Sequence, residues 1–135
     1  MESVKGKKQI VLDKSIHTLI EPFIIEMEVK EEEFFELPDV EKSHKAHLEL
    51  SGGKPFCILL DTKRGYFNVS PDAKKKIASP EYAEVMMASA FVVQSLSARL
   101  TGNFFIRFMK PPAPTKLFTN REEAINWLRH FAKRA

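Results

Sequence analysis

Five consecutive apolar residues, Phe56-Cys57-Ile58-Leu59-Leu60, constrain this chain more than any other feature. The run is too short for a helix, and Asp61 ends it, so it reads as a strand. An apolar residue at every position, not every second one, belongs to a strand buried on both faces. Such a strand sits in the middle of a sheet, and helices must cover it.

The flanking sequence supplies both. Residues 16–29 hold Ile16, Leu19, Ile20, Phe23, Ile24, Ile25, Met27 and Val29 around Pro22, and Ile25-Glu26-Met27-Glu28-Val29 alternates strictly. Two early strands paired around Glu21-Pro22 are expected. A polar helix follows, with Asp39 as the cap of its main section, Ser51-Gly52-Gly53 as its end, and Val40, His44, His47 and Leu48 on one face. Ser70-Pro71-Asp72 is a helix start: a hydroxyl cap, proline in the first turn, then an acid near the positive end. That helix stops at Ser79-Pro80. Val85 through Val93 is nearly all apolar; its Ala and Met content suits a helix, its length and Phe91-Val92-Val93 ending suit a strand. Alternation with helices favours the strand. Leu96, Leu100, Phe104 and Phe108 mark a helix from Ser95 to Met109, which Pro111, Pro112 and Pro114 end. Lys116-Leu117-Phe118 is a short strand. Thr119 and Glu122 form a capping box ahead of a last amphipathic helix with Ala124, Trp127, Leu128 and Phe131 on one face. The expected order is β-β-α-β-α-β-α-β-α: a mixed α/β sheet of about five strands flanked by about four helices, with right-handed crossovers.

At 135 residues, 44% hydrophobic and 29% charged, the chain has the size and composition of one globular domain. Residues 1–15 read as a basic N-terminal arm and lead-in, and residues 16–135 as the domain itself. Cys57 is the one cysteine, so no intrachain disulfide forms, and its apolar setting marks an inert thiol. The opening residues lack a signal peptide's apolar stretch, and no segment approaches the roughly 20 apolar residues of a membrane span, so the expected location is the cytoplasm. Charge is uneven: residues 21–49 carry ten acids and three bases, residues 54–135 fourteen bases and six acids. The acidic run Glu31–Glu33 and the basic run Lys74–Lys76 are expected to mark different faces, as solvated surface or as a means of orienting a partner.

Catalytic signatures are missing from the sequence. The five glycines form no phosphate loop, no serine sits in a nucleophile elbow, and no Cys-His arrangement is suggested. His44 and His47 have a metal-binding spacing, but His17 and His130 lie far off in sequence, so no metal and no cofactor are expected. The bases are not interleaved with stacking aromatics, which argues against nucleic acid. What remains is the stretch from Asp61, at a strand end, to Ser70, at a helix head. A phosphate on Ser70 would face that helix's positive end; the plainer role of Ser70 is a cap alone.

Ile58-Leu59-Leu60-Asp61, Ser70-Pro71-Asp72-Ala73, Asn103-Phe104-Phe105 and Pro114-Thr115-Lys116-Leu117-Phe118-Thr119 leading into Glu123–Leu128 together resemble the STAS-like superfamily, which includes bacterial anti-sigma factor antagonists. More narrowly, the chain is similar to small uncharacterised bacterial STAS-like proteins. In antagonists a strand-ending Asp is followed nine residues later by a serine, at the head of the next helix, that a kinase phosphorylates. Asp61 and Ser70 match that spacing, although Val69 stands where antagonists carry Asp, and Pro71-Asp72 where they carry a small residue and Gly. The resemblance implies a STAS-like fold with Asp61 and Ser70 at a switch loop and Ser70 as the modifiable residue; Lys63, Arg64 and Asn68, between them, are the further candidates in that loop.

The Phe-rich helix supplies a second feature. Phe105, Ile106 and Met109 spread apolar surface away from the Leu100–Phe104–Phe108 face, suggesting a dimer contact, a hydrophobic ligand site or a membrane-facing patch; the plain alternative is burial under the neighbouring loop. Arg99, Arg107, Lys110 and Lys116 can meet lipid headgroups or an acidic partner. The preferred expectation is a non-catalytic binding or regulatory module acting on an unidentified protein partner, as a homodimer with Phe105, Arg107 and Met109 at its contact surface. One alternative is a lipid or small hydrophobic-ligand binder. A second is a small enzyme with its site at the strand carboxyl ends.

Overall fold

The computed structural model describes residues 2–4, 7–30, 34–61, 68–94, 99–100, 103, 107 and 113–133. Over these the chain runs β1 (Glu2–Val4), β2 (Lys7–Val11), β3 (Ser15–Glu21), β4 (Ile24–Val29), β5 (Phe34–Phe35), α1 (Leu37–Ser51), β6 (Phe56–Asp61), β7 (Asn68–Val69), α2 (Pro71–Ile77), α3 (Pro80–Ala83), β8 (Met86–Val92), β9 (Thr115–Phe118) and α4 (Arg121–Ala132). Seven strands form one sheet in the order β1-β2-β3-β4-β6-β8-β9, and β5 and β7 form a small parallel ladder. Pairing is antiparallel from β1 to β4 and parallel from β4 to β9.

The apolar run takes the expected central place. All six residues of β6 are buried, with β4 and β8 on either side. Phe56, Ile58 and Leu60 pack with Ile25, Val40, Leu50, Ala73 and Tyr82 beneath α1, α2 and α3. Cys57 and Leu59 point the other way, against Ala124, Ile125 and Leu128 of α4. Burial pushes the Cys57 thiol up to about 12, which keeps it protonated and unreactive.

All five expected strands are present as β3, β4, β6, β8 and β9. The segment expected as a basic arm departs from the reading: it adds β1 and β2 to the sheet. The outer edge of β3 presents unpaired backbone groups, and Gln9, Ile10 and Val11 satisfy them opposite Thr18, His17 and Ile16. Gln9 Nε2 also donates to Thr18 Oγ1 at 3.0 Å, and β1 in turn covers β2 as the outermost strand on this side.

Helix ends follow local chemistry. Gly52, at φ 67°, closes α1, and the Gly53 N–H donates to the Leu48 carbonyl at 2.8 Å. At the other end Glu36 is the cap, and Asp39, expected there, instead stands three residues in and accepts the Glu36 N–H at 2.9 Å. The cap of α4 is Asn120, not Thr119: its Oδ1 accepts the Glu123 N–H at 3.0 Å. The Phe118 carbonyl still accepts from Val93 N–H at 2.9 Å, so at Thr119 the chain is only leaving the sheet.

His17 of β3 and His47 of α1, thirty residues apart, meet in the buried layer beneath α1. His17 Nδ1 lies 2.8 Å from His47 Nε2, and His17 Nε2 lies 2.7 Å from Ser15 Oγ. Burial lowers the His17 pKa from 6.5 to about 4 and holds His47 well below its ordinary value. The unfolded chain therefore takes up protons that the folded one refuses. The stabilisation is complete above about pH 6.5 and is lost as pH falls towards about 4, by about 3 kcal/mol for His17 alone. Urea melts at about pH 7.5 and about pH 5 should show the lower midpoint at the lower pH; equal midpoints would mean that the pair is not buried and neutral. At the other cap, Asn120→Ala should cost about 1 kcal/mol in the same melts, and Thr119→Ala close to nothing.

Candidate functional site

Because β4, β6, β8 and β9 run parallel, their carboxyl ends share one edge of the sheet, and the antiparallel β3 begins there, with Ser15 opposite Val29. Ligands of open α/β sheets collect at this edge. It gathers Asp61, Asn68 and Ser70 from the β6–α2 connection and Thr119, Asn120 and Arg121 from the β9–α4 connection.

Asp61 closes β6 between Glu28 of β4 and Val92 of β8, and is only 5% exposed. Strand alternation places it on the α4 side, with Leu59 and Cys57. Its charge reaches the Arg121 guanidinium, which opens α4 and grips Glu26 with two hydrogen bonds of 3.1 Å. The bidentate fork ties the start of α4 to β4.

Ser70 heads the other layer. Its Oγ accepts the Ala73 N–H at 3.3 Å, and its own N–H donates to the Phe35 carbonyl at 2.9 Å. The adjoining ladder pairs Phe34 with Asn68 and Phe35 with Val69. Phe35 is buried and Phe34 is 50% exposed. Lys14 braces this corner, donating to the Phe34 carbonyl at 2.6 Å and to Asp39 Oδ2 at 2.7 Å. Burial pushes the Asp39 pKa up, but Lys14 and the Glu36 N–H outweigh it and hold the carboxyl below its ordinary value.

The structure thus brings Asn68 and Ser70 together with Phe34, and sets the Asp61 side chain in the opposite layer. Lys63, Arg64, Phe105 and Met109 lie outside the described residues; Arg107 is exposed. Sequence reasoning missed Lys14, Phe34 and Arg121. Their only sequence signals were a lysine before a strand, paired aromatics after the acidic run, and a base in the first turn of a helix.

Further along this edge, a surface depression of about 420 Å³ lies between β9 and the residues after β8. Arg99, Asn103, Lys116, Leu117, Thr119 and Glu123 are among its walls. Lys116 is exposed, with its ammonium 5.4 Å from the Phe118 ring centre. Among the described residues no three His, Cys, Asp or Glu side chains converge as a metal site. His44 stacks on Tyr82 with ring centres 3.8 Å apart, and His130 is exposed in the last turn of α4. No described helix is long and apolar enough to cross a membrane.

The sequence profile of a family described as a domain of unknown function, DUF7793, matches residues 18–132. The chain belongs to that family. No curated protein matches it in sequence. Among solved structures it is similar to the crystal structure of an uncharacterised protein of the DUF3478 family, with a SpoIIAA-like fold, from Shewanella loihica PV-4. The TM-score is 0.57 at 14% identity, over 95% of this chain and 98% of the other. SpoIIAA-like is the STAS-like fold, so the DUF7793 chain has the fold its sequence resembles.

Ser70→Ala should lower stability by about 1 kcal/mol through loss of the α2 cap, read as a shifted denaturation midpoint with an unchanged slope. An unmoved midpoint would show that the cap contributes nothing.

Proposed function

We propose that this DUF7793 protein is a non-catalytic binding or regulatory module, cytoplasmic and bacterial, that acts through protein contacts at the carboxyl edge of its sheet and works as a homodimer. The placement of Ser70 carries this reading. Ser70 is partly exposed at the head of α2, beside the half-exposed Phe34 and the exposed Asn68, where a partner can reach all three. A phosphate on Ser70 would keep the Ala73 N–H as its donor while adding charge to that surface, so the same contact can be made or broken.

The lipid or hydrophobic-ligand alternative draws on Leu100, which is 60% exposed beside the exposed Arg99. The small-enzyme alternative needs a histidine beside Asp61. That carboxylate faces the start of α4 beside Arg121, whereas His17, His44 and His47 belong to the α1 layer and His130 sits in the last turn of α4.

Native mass spectrometry of protein purified gently from bacterial cells tests the reading. Dimers, and a fraction carrying one phosphate that disappears in Ser70→Ala, are the expected result. A lipid-sized adduct would transfer the assignment to the carrier alternative. A bare monomer would remove the interface given to Phe105, Arg107 and Met109.

A further inference from the structure

We infer that the depression beside β9 receives an extended acidic peptide as an added strand. This rests on the protein-contact reading above and assigns the partner its chemistry. β9 is the last strand of the sheet. The Ser89 N–H donates to the Pro114 carbonyl, and the Val93 N–H to the Phe118 carbonyl, each at 2.9 Å. Those carbonyls therefore face β8, and strand alternation turns the N–H and C=O of Leu117 to the outer edge. No described residue pairs with that edge, and the depression opens beside it.

An unpaired strand edge is a template for a further strand. The surrounding charge selects which. Arg99 and Lys116 stand in the two walls, both exposed, against the single acid Glu123 among the described lining. A chain with Glu or Asp at alternate positions meets this charge while its backbone bonds to Leu117. A second copy of β9 is disfavoured, because it would bring another Lys116 towards Arg99. Single-stranded nucleic acid would want an exposed stacking ring, and Phe118 is half-buried beneath the Lys116 ammonium.

The probe is a short fluorescein-labelled peptide alternating Glu and Val, with a Lys–Val peptide as its counterpart, titrated by anisotropy against the full chain. The Glu–Val peptide should bind at least about tenfold more tightly, and its addition should slow hydrogen exchange at the Leu117 amide. Arg99→Glu/Lys116→Glu should weaken it about tenfold, and so should Leu117→Pro, whose lost N–H lies on the side away from β8. Equal binding of the two peptides, or binding of neither, overturns the inference. Unchanged binding to a folded Leu117→Pro chain reduces the depression to an anion site and overturns strand addition. Should Leu117→Pro not fold, unchanged exchange at the wild-type Leu117 amide does the same. None of these failures touches the Ser70 surface, whose reading fails separately, by a lipid adduct or a bare monomer in the native spectrum.

Discussion

Burial of β6 on both faces is the constraint from which the other layers follow. Phe56, Ile58 and Leu60 require cover on one side, Cys57 and Leu59 on the other. A strand in that position must have neighbours along both edges to satisfy its backbone, which β4 and β8 provide in parallel register. Parallel neighbours need crossovers, and the crossovers are the helices that cover the faces. Two-layer cover and a single carboxyl edge are therefore consequences of one apolar run.

Charge is distributed differently in space than along the chain. The acid-rich segment 21–49 and the base-rich segment 54–135 look as if they should occupy separate faces. The fold instead joins them: Glu21 pairs with Arg129 and Glu26 with Arg121, so the two ends of α4 are each pinned to a strand of the acidic half. Within the base-rich segment itself, Lys76 meets Glu81 at 2.8 Å, leaving less of the basic run as unopposed charge. Arg99 and Lys116 share the walls of the depression and have no ion pair among the described contacts, so a partner's acids would not compete with one there.

The carboxyl edge is also where the two layers communicate with solvent. On the α1 side, Ser70 is held from both directions, by Phe35 through its backbone and by α2 through its side chain. Lys14, which braces the same corner, precedes the Ser15 that contacts the buried histidine pair. On the α4 side, Asp61 and Arg121 form a separate charged arrangement. Two chemically distinct surfaces thus share one edge of a small sheet.

Local sequence determined the elements. The β6 run, the alternation in β4, the Ser70-Pro71 helix start and the Gly52 stop each depend on neighbours within a few residues, and each is found where the pattern puts it. The tertiary structure decided the meetings: His17 with His47 across thirty residues, Glu26 with Arg121 across 95, and Glu21 with Arg129 across 108. It also recruited residues 2–4 and 7–11 into the sheet, and sent Asp61 and Ser70, nine residues apart, into different layers. The reason is physical. Helix and turn signals are short-range sterics and hydrogen bonding, whereas strand order and register decide which distant side chains share a face, and only the closed sheet specifies those.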